Sequence, residues 1–257
     1  MDPHYPTLSE PATPEYVLAV LQDQHRQSAQ FDPEVDPGAV LSFETTIQEW
    51  REACDLLDWK TLGRAHNEWW KIDCADDEWE SVLVPASEKR LAGVCELIAS
   101  RASRPSVRAA RILGTDCLTA GAFLTIRSLL ADAGASPDEI APSAPLLPFT
   151  RRYCRVFLEE ISRLAPGALP PVKVRTPVYD AGIWGMAVGW ACAVIGLVGS
   201  RVWGDLIGLE YAGVLLFLIS YVCIWTIARH ILPSSVEFGD LKTFRDLAQV
   251  IGNSEWR

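Results

Sequence analysis

The chain has 257 residues, 23 basic against 33 acidic, for a net charge of −10 at pH 7. That balance argues against a nucleic-acid partner, whose phosphates are met by clustered Lys and Arg. Seven cysteines, an odd number with no C-x-x-C pair, argue against a disulfide framework or a zinc ribbon and fit reduced thiols.

Residues 1–41 read as an acidic, proline-rich segment with one short helix. Thr13 is placed to cap it, Pro14 takes the first helical position, and Val17, Val20 and Leu21 share one side as far as about Gln27. The opening stretch has neither the cationic start nor the apolar core of a secretory leader, so this end is expected in the cytoplasm. Asp32 to Gly38, rich in Pro and Asp, reads as linker.

Residues 42–171 are long enough for one cored domain, and their apolar spacing is helical. Ile47, Trp50, Cys54 and Leu57 recur at three- and four-residue intervals, as do Trp59, Leu62, His66, Trp69 and Trp70, then Leu91, Val94, Cys95 and Ile98. Ser87 reads as a cap for the last of these. Phe123, Ile126, Leu129 and Leu130 mark a further helix closed by Gly134, and Phe149 to Leu164 another, ended by Ala-Pro-Gly. No alternating run is long enough to require a sheet.

Residues 172–180 are a Pro-rich linker, and residues 181–232 read as a transmembrane hairpin with spans of about 181–203 and 209–231. Two uncharged runs carry that reading, Ala181 to Ser200 and Tyr211 to Ala228. The second holds nine Val, Leu, Ile or Phe residues, worth roughly 3 to 5 kcal/mol of insertion free energy. The first has six and five glycines, so it is expected to insert together with its neighbour. Ala181, Gly185, Gly189 and Ala193 form a small-residue row that lets helix backbones approach, either within the hairpin or towards another membrane helix. Glu210 is expected in the connecting loop. Basic residues flank the pair (Arg163, Lys173 and Arg175 before; Arg229, Lys242 and Arg245 after), so the positive-inside rule puts both ends in the cytoplasm. Residues 233–257 form a cytosolic tail with one amphipathic helix. Its Leu241, Phe244, Leu247, Ala248 and Ile251 can dock on the domain or lie on the bilayer, and mixed charge on the polar side favours docking.

The fold class expected is therefore all-α: a cytosolic helical domain, a two-helix transmembrane hairpin and a short C-terminal amphipathic helix. Charge is unevenly spread. Residues 1–100 hold 7 basic and 20 acidic groups, whereas residues 101–175 hold 11 basic and 6 acidic ones. Arg151, Arg152, Arg155, Lys173 and Arg175 are thus candidates to face anionic lipid, within a basic set that also includes Arg101, Arg104, Arg108 and Arg111.

No catalytic motif stands out. The Asp73–Glu80 cluster lacks calcium-loop spacing and reads as an acidic helix start. His66 lies on an apolar stripe and reads as a hydrogen-bonded packing residue. Cys54, Cys95 and Cys117 could serve as nucleophiles only beside a base that the sequence does not identify. Neither a metal nor another cofactor is expected. The partner face proposed on the domain comprises Trp69, Trp70, Asp76, Asp77 and Glu80, since an exposed tryptophan beside acids suits a protein contact. The function expected is a membrane-anchored helical binding module, an adaptor or scaffold at the inner (plasma) membrane of a bacterium. Its partners would be the bilayer and either a protein or a second copy through the hairpin. A membrane-active effector whose hairpins oligomerise, or a membrane-surface enzyme, are the alternatives.

Overall fold

The computed structural model describes residues 8–256 except 31, 33, 55, 57, 113, 176, 204–206 and 229–234. Arg229 and the middle of the connection expected between the two spans therefore lie outside the described residues, and so does the side chain of Arg175. The chain divides into two compact units, Met1–Lys173 with Glu237–Arg257, and Val174–Val236.

In the larger unit, β1 (Leu8–Pro11) pairs antiparallel with β2 (Ser103–Ser106). Between them run α1 (Pro14–Ser28), α2 (Ile47–Cys54), α3 (Trp59–Trp70), α4 (Asp76–Leu83) and α5 (Leu91–Ala99). Next come the ribbon of β3 (Ala110–Ile112) and β4 (Thr115–Cys117), then α6 (Leu118–Asp132), α7 (Leu147–Arg152) and α8 (Cys154–Val156). The molecule is mostly helical, as the periodicity predicts, but it also contains these short ribbons. Strands of three or four residues are too short for alternation to be read, and two of them contain proline (Pro11, Pro105).

Thr13 caps α1, its hydroxyl accepting from the Tyr16 amide at 3.3 Å, with Pro14 at the first helical position. The helix then buries Tyr16, Val17, Val20 and Leu21 in the core shared with α2 to α5. The apolar stripe of α1 thus lies in the same compact unit as the helices that follow it. The helix expected over Phe149–Leu164 is broken at Tyr153 (φ −119°, ψ 34°) and resumes as α8, a π-helical turn over Phe157–Ile161 and a 3-10 turn over Ser162–Leu164. Ser87 is not a cap: α5 starts at Leu91, behind Arg90.

The tail returns to the same unit. Strand β5 (Val172–Arg175) forms a two-stranded sheet with β6 (Ser235–Phe238), and α11 (Phe244–Gly252) packs against α6. Leu247, Ala248 and Ile251 are buried, and a side chain at Gly252 would come within 3.0 Å of the Thr119 backbone. A capping box starts α11: the Thr243 hydroxyl accepts from the Asp246 amide, and the Asp246 carboxylate accepts from the Thr243 amide at 2.9 Å. The tail helix thus docks on the domain, as its charge pattern favoured, although Leu241 lies outside it.

The smaller unit contains α9 (Pro177–Trp203) and α10 (Ile207–Ala228), packed on each other. Their contact explains the glycines. A Cβ at Gly189 would lie 2.7 Å from the Phe217 amide nitrogen, Gly185 faces Ser220, and Gly213 faces the backbone at Ala193. Gly189 is buried and Gly185 and Ala193 are partly buried, while Ala181 is exposed. Glu210 falls within α10 rather than in a loop. Among the described residues, Ala181–Val198 is long and apolar enough to cross a membrane, and α10 adds the shorter apolar stretch Tyr211–Val222.

Candidate ligand cavity

A cavity of about 720 Å³ opens in the larger unit among α1, α2, α3 and the segment after α7. Its deep wall consists of the buried Leu21, Val35, Trp50 and Leu62, together with two imidazoles, His25 and His66. Arg163, Trp69 and Cys54 are half-buried around it, and Glu68, Lys71, Arg155 and Glu160 stand exposed at the mouth.

The placement of these groups begins at Gly63. A Cβ there would sit 2.7 Å from Cγ of Trp79, so glycine lets the Trp79 indole lie directly on α3. Asn67 fixes that indole, its side-chain oxygen accepting from Trp79 Nε1 at 3.1 Å and from the Cys74 amide at 3.1 Å. Trp79 and Trp50 then enclose His66, with ring centroids at 5.7 and 5.8 Å and interplanar angles of 26° and 29°. The ring is a packing residue, as its place on the stripe predicted, but its Nε2 is buried without a hydrogen-bond partner, which corrects the hydrogen-bonded reading. Burial, reinforced by the Arg163 charge, drives its pKa down to about 4, so it is neutral at pH 7.

Arg163 is the other unusual group. Its guanidinium lies 3.9 Å from the centroid of Trp69 and 4.7 Å from that of Trp70, and donates to the Trp69 carbonyl at 2.9 Å. No carboxylate bonds to it among the described ion pairs, and its Nε–H is buried without an acceptor. Burial lowers its pKa.

Cys54, at the end of α2, lies 3.3 Å from Nδ1 of His25 on α1. This is a base that local sequence could not identify, 29 residues away along the chain. Burial pushes the thiol up to about 11, so at neutral pH it remains S–H. The Nε2 of His25 is buried and unpartnered. A protonated thiol beside an imidazole is a hydrogen-bonded pair, not an activated nucleophile. Six cysteines are free among the described residues. No group of three His, Cys, Asp or Glu residues there is arranged to hold a metal ion.

No protein family, curated protein or solved structure matches this chain. The residues named from sequence therefore rest on their own geometry. Those of the proposed partner face occupy different settings. Trp70 is 5% exposed, in the core edge-on to Tyr16, whereas Trp69 is half-buried and lines the cavity. Asp76, Asp77 and Glu80 are exposed on α4, the first two in its opening turn as the acidic pattern predicts.

The basic set is likewise divided. Arg101 pairs with Glu78 and Arg104 with Glu10, across the charge split, whereas Arg155 pairs with Glu159 inside the basic segment. Arg151 and Arg152 are exposed at the end of α7, and Lys173 is exposed on β5. Sequence reasoning missed His25, Arg163 and Glu159, which come from separate elements and share no motif.

Proposed function

We propose that this protein is a membrane-anchored helical binding module, an adaptor or scaffold whose larger unit works on the cytoplasmic side of a bacterial inner membrane. In this reading α9 and α10 cross the bilayer as a hairpin, and the module binds through the larger unit.

The observation that carries the anchoring is the return of the chain. Residues on both sides of the apolar segment, up to Lys173 and from Glu237, belong to one compact unit, with α11 packed on α6. A single crossing would leave these two parts on opposite faces of the membrane. If the segment inserts at all, it crosses an even number of times, which makes α10 a second span even though its described apolar stretch is short. Length agrees: 27 and 22 residues correspond to about 40 and 33 Å of helix, against a hydrocarbon core of about 30 Å. Exposure agrees as well, since only 11% of Ala181–Val198 is buried and Trp184, Trp190, Leu215 and Ile219 project outward. Lys173 and the basic residues of the tail favour the cytoplasm for the larger unit.

The glycine packing bears on the effector alternative. Gly185 and Gly189 of the small-residue row meet α10, with Gly213 opposite, which supports packing within the hairpin as the use of that part of the row. The direct test is fractionation in alkaline carbonate. The full chain should stay with the membrane pellet; release into the supernatant would refute the anchoring.

A further inference from the structure

We infer that the larger unit contacts anionic lipid headgroups through a basic surface at the end where the chain leaves and rejoins it. That surface comprises Arg151 and Arg152 of α7, Lys173 of β5, and Lys242 and Arg245 of the tail. The inference rests on the anchoring reading and adds the class of lipid that the unit takes.

The backbone brings these residues together. Lys173 and Glu237 bound the larger unit on either side of the apolar segment, on the paired strands β5 and β6. After β6 the Leu241 amide donates to the Phe238 carbonyl at 2.9 Å, and that turn leads the tail onto the start of α7. There the Leu146 amide donates to the Lys242 carbonyl at 2.9 Å and the Arg245 amide to the Pro142 carbonyl at 2.8 Å. The Phe149 and Phe244 rings meet edge-on beside them at 5.1 Å. Arg151 follows Leu146 by about 8 Å of helix. All five cations are exposed, and none forms an ion pair among the described residues, unlike Arg101, Arg104 and Arg155. Of the acids on the same elements, Asp246 caps α11 by accepting from the Lys242 and Thr243 amides, which leaves Glu237 and Asp240. Asp138 and Glu139, the next acids in sequence, sit on a 3-10 turn that packs on α6. Leu147 is a second, independent sign. Val40 and Leu147 are the large apolar residues of the larger unit that stand exposed among the described ones, and Leu147 lies within this basic surface. Cations around an exposed apolar side chain suit the headgroup layer, where charge meets lipid phosphate and the apolar group meets the acyl boundary.

The full chain, its native cysteines replaced by serine or alanine, is labelled with an environment-sensitive fluorophore on a single cysteine, Leu147→Cys or Asp77→Cys. Asp77 is exposed on α4, among acids, and serves as the reference. The protein is reconstituted into vesicles of phosphatidylcholine alone, or with one part in three phosphatidylglycerol, and a headgroup spin-labelled lipid is the quencher. In the anionic vesicles quenching at position 147 should be at least threefold that at position 77. It should fall at least twofold in phosphatidylcholine alone, and likewise when salt is raised from about 0.05 to about 0.5 M. Arg151→Gln, Arg152→Gln and Lys242→Gln together should abolish the dependence on phosphatidylglycerol; the three side chains are exposed, so the core is untouched. Equal quenching at the two positions overturns the inference, and so does quenching at position 147 that ignores phosphatidylglycerol or the three substitutions. Reversal by inorganic phosphate beyond that by chloride at equal ionic strength also overturns it, in favour of a discrete anion site. Carbonate fractionation reads insertion separately: a chain that stays in the pellet yet shows none of these dependences keeps the anchoring and loses the lipid contact.

Discussion

The two units use apolar side chains in opposite ways. The larger one hides them: Tyr16, Trp79, Leu83 and Leu91 are each no more than 1% exposed. The smaller one turns them outward, with Trp184 at 72% and Leu215 at 60%, and reserves its interior for glycine and serine. Water drives the first arrangement, because burying large apolar surface is favourable there. The second makes sense in a solvent as apolar as leucine, where small residues bring backbones together and large ones meet lipid. What the contrast teaches is that hydropathy alone does not distinguish a core helix from the span proposed here; the side on which bulk is placed differs between the two units.

The largest expected effect removes one term of that comparison. Replacing residues 176–234 with a short Gly-Ser loop between the paired strands β5 and β6 should move the protein from the membrane fraction to the supernatant while the far-ultraviolet circular dichroism per residue remains helical. Loss of all soluble protein would show that the larger unit depends on the smaller.

Gly189→Leu attacks the close approach inside the smaller unit, where even a Cβ would lie 2.7 Å from the Phe217 amide nitrogen. The membrane-associated level should fall severalfold, whereas Trp190→Leu, on the exposed side, should change it little. Quantitative immunoblotting of membranes distinguishes the two.

In the larger unit, His66 predicts acid sensitivity. Its pKa is about 4 in the fold against 6.5 for the free side chain, so the unfolded chain takes up the proton first as pH falls. The stability it permits is therefore complete above pH 6.5 and declines towards pH 4, by about 3 kcal/mol in all. Chemical denaturation across that range should show the loss, and His66→Phe should flatten it.

A smaller change is expected from Gly63→Ala. Overpacking against Trp79 costs about 1 to 3 kcal/mol, less up to about 1 kcal/mol regained from helix propensity. A lower Tm for the larger unit checks the sign; an unchanged or higher value would mean that Trp79 moves aside freely.

Much of the helical pattern was legible in sequence, because its signals are local. Thr13-Pro14 starts α1, the Trp59–Trp70 stripe is α3, and Gly134 follows α6 with φ +93°. The parts that were not legible depend on distant residues. The β1–β2 pair joins positions nearly a hundred residues apart, and α1 belongs to the core only because α5 covers it. The cavity had even less signal: its thiol, its imidazoles and its arginine come from separate helices, each ordinary where it stands. The tryptophans were visible, but only the fold assigns Trp70 to the core and Trp69 to the cavity wall.

The central claim, a hairpin crossing with both flanking segments on one side, is tested most directly by labelling intact cells with a membrane-impermeant maleimide. Single cysteines are introduced at position 205 and at position 257 of a chain whose native cysteines are replaced by serine or alanine. Labelling at position 205 with none at position 257 is the predicted result. Labelling at position 257, or at neither site until the cells are lysed, would contradict the hairpin.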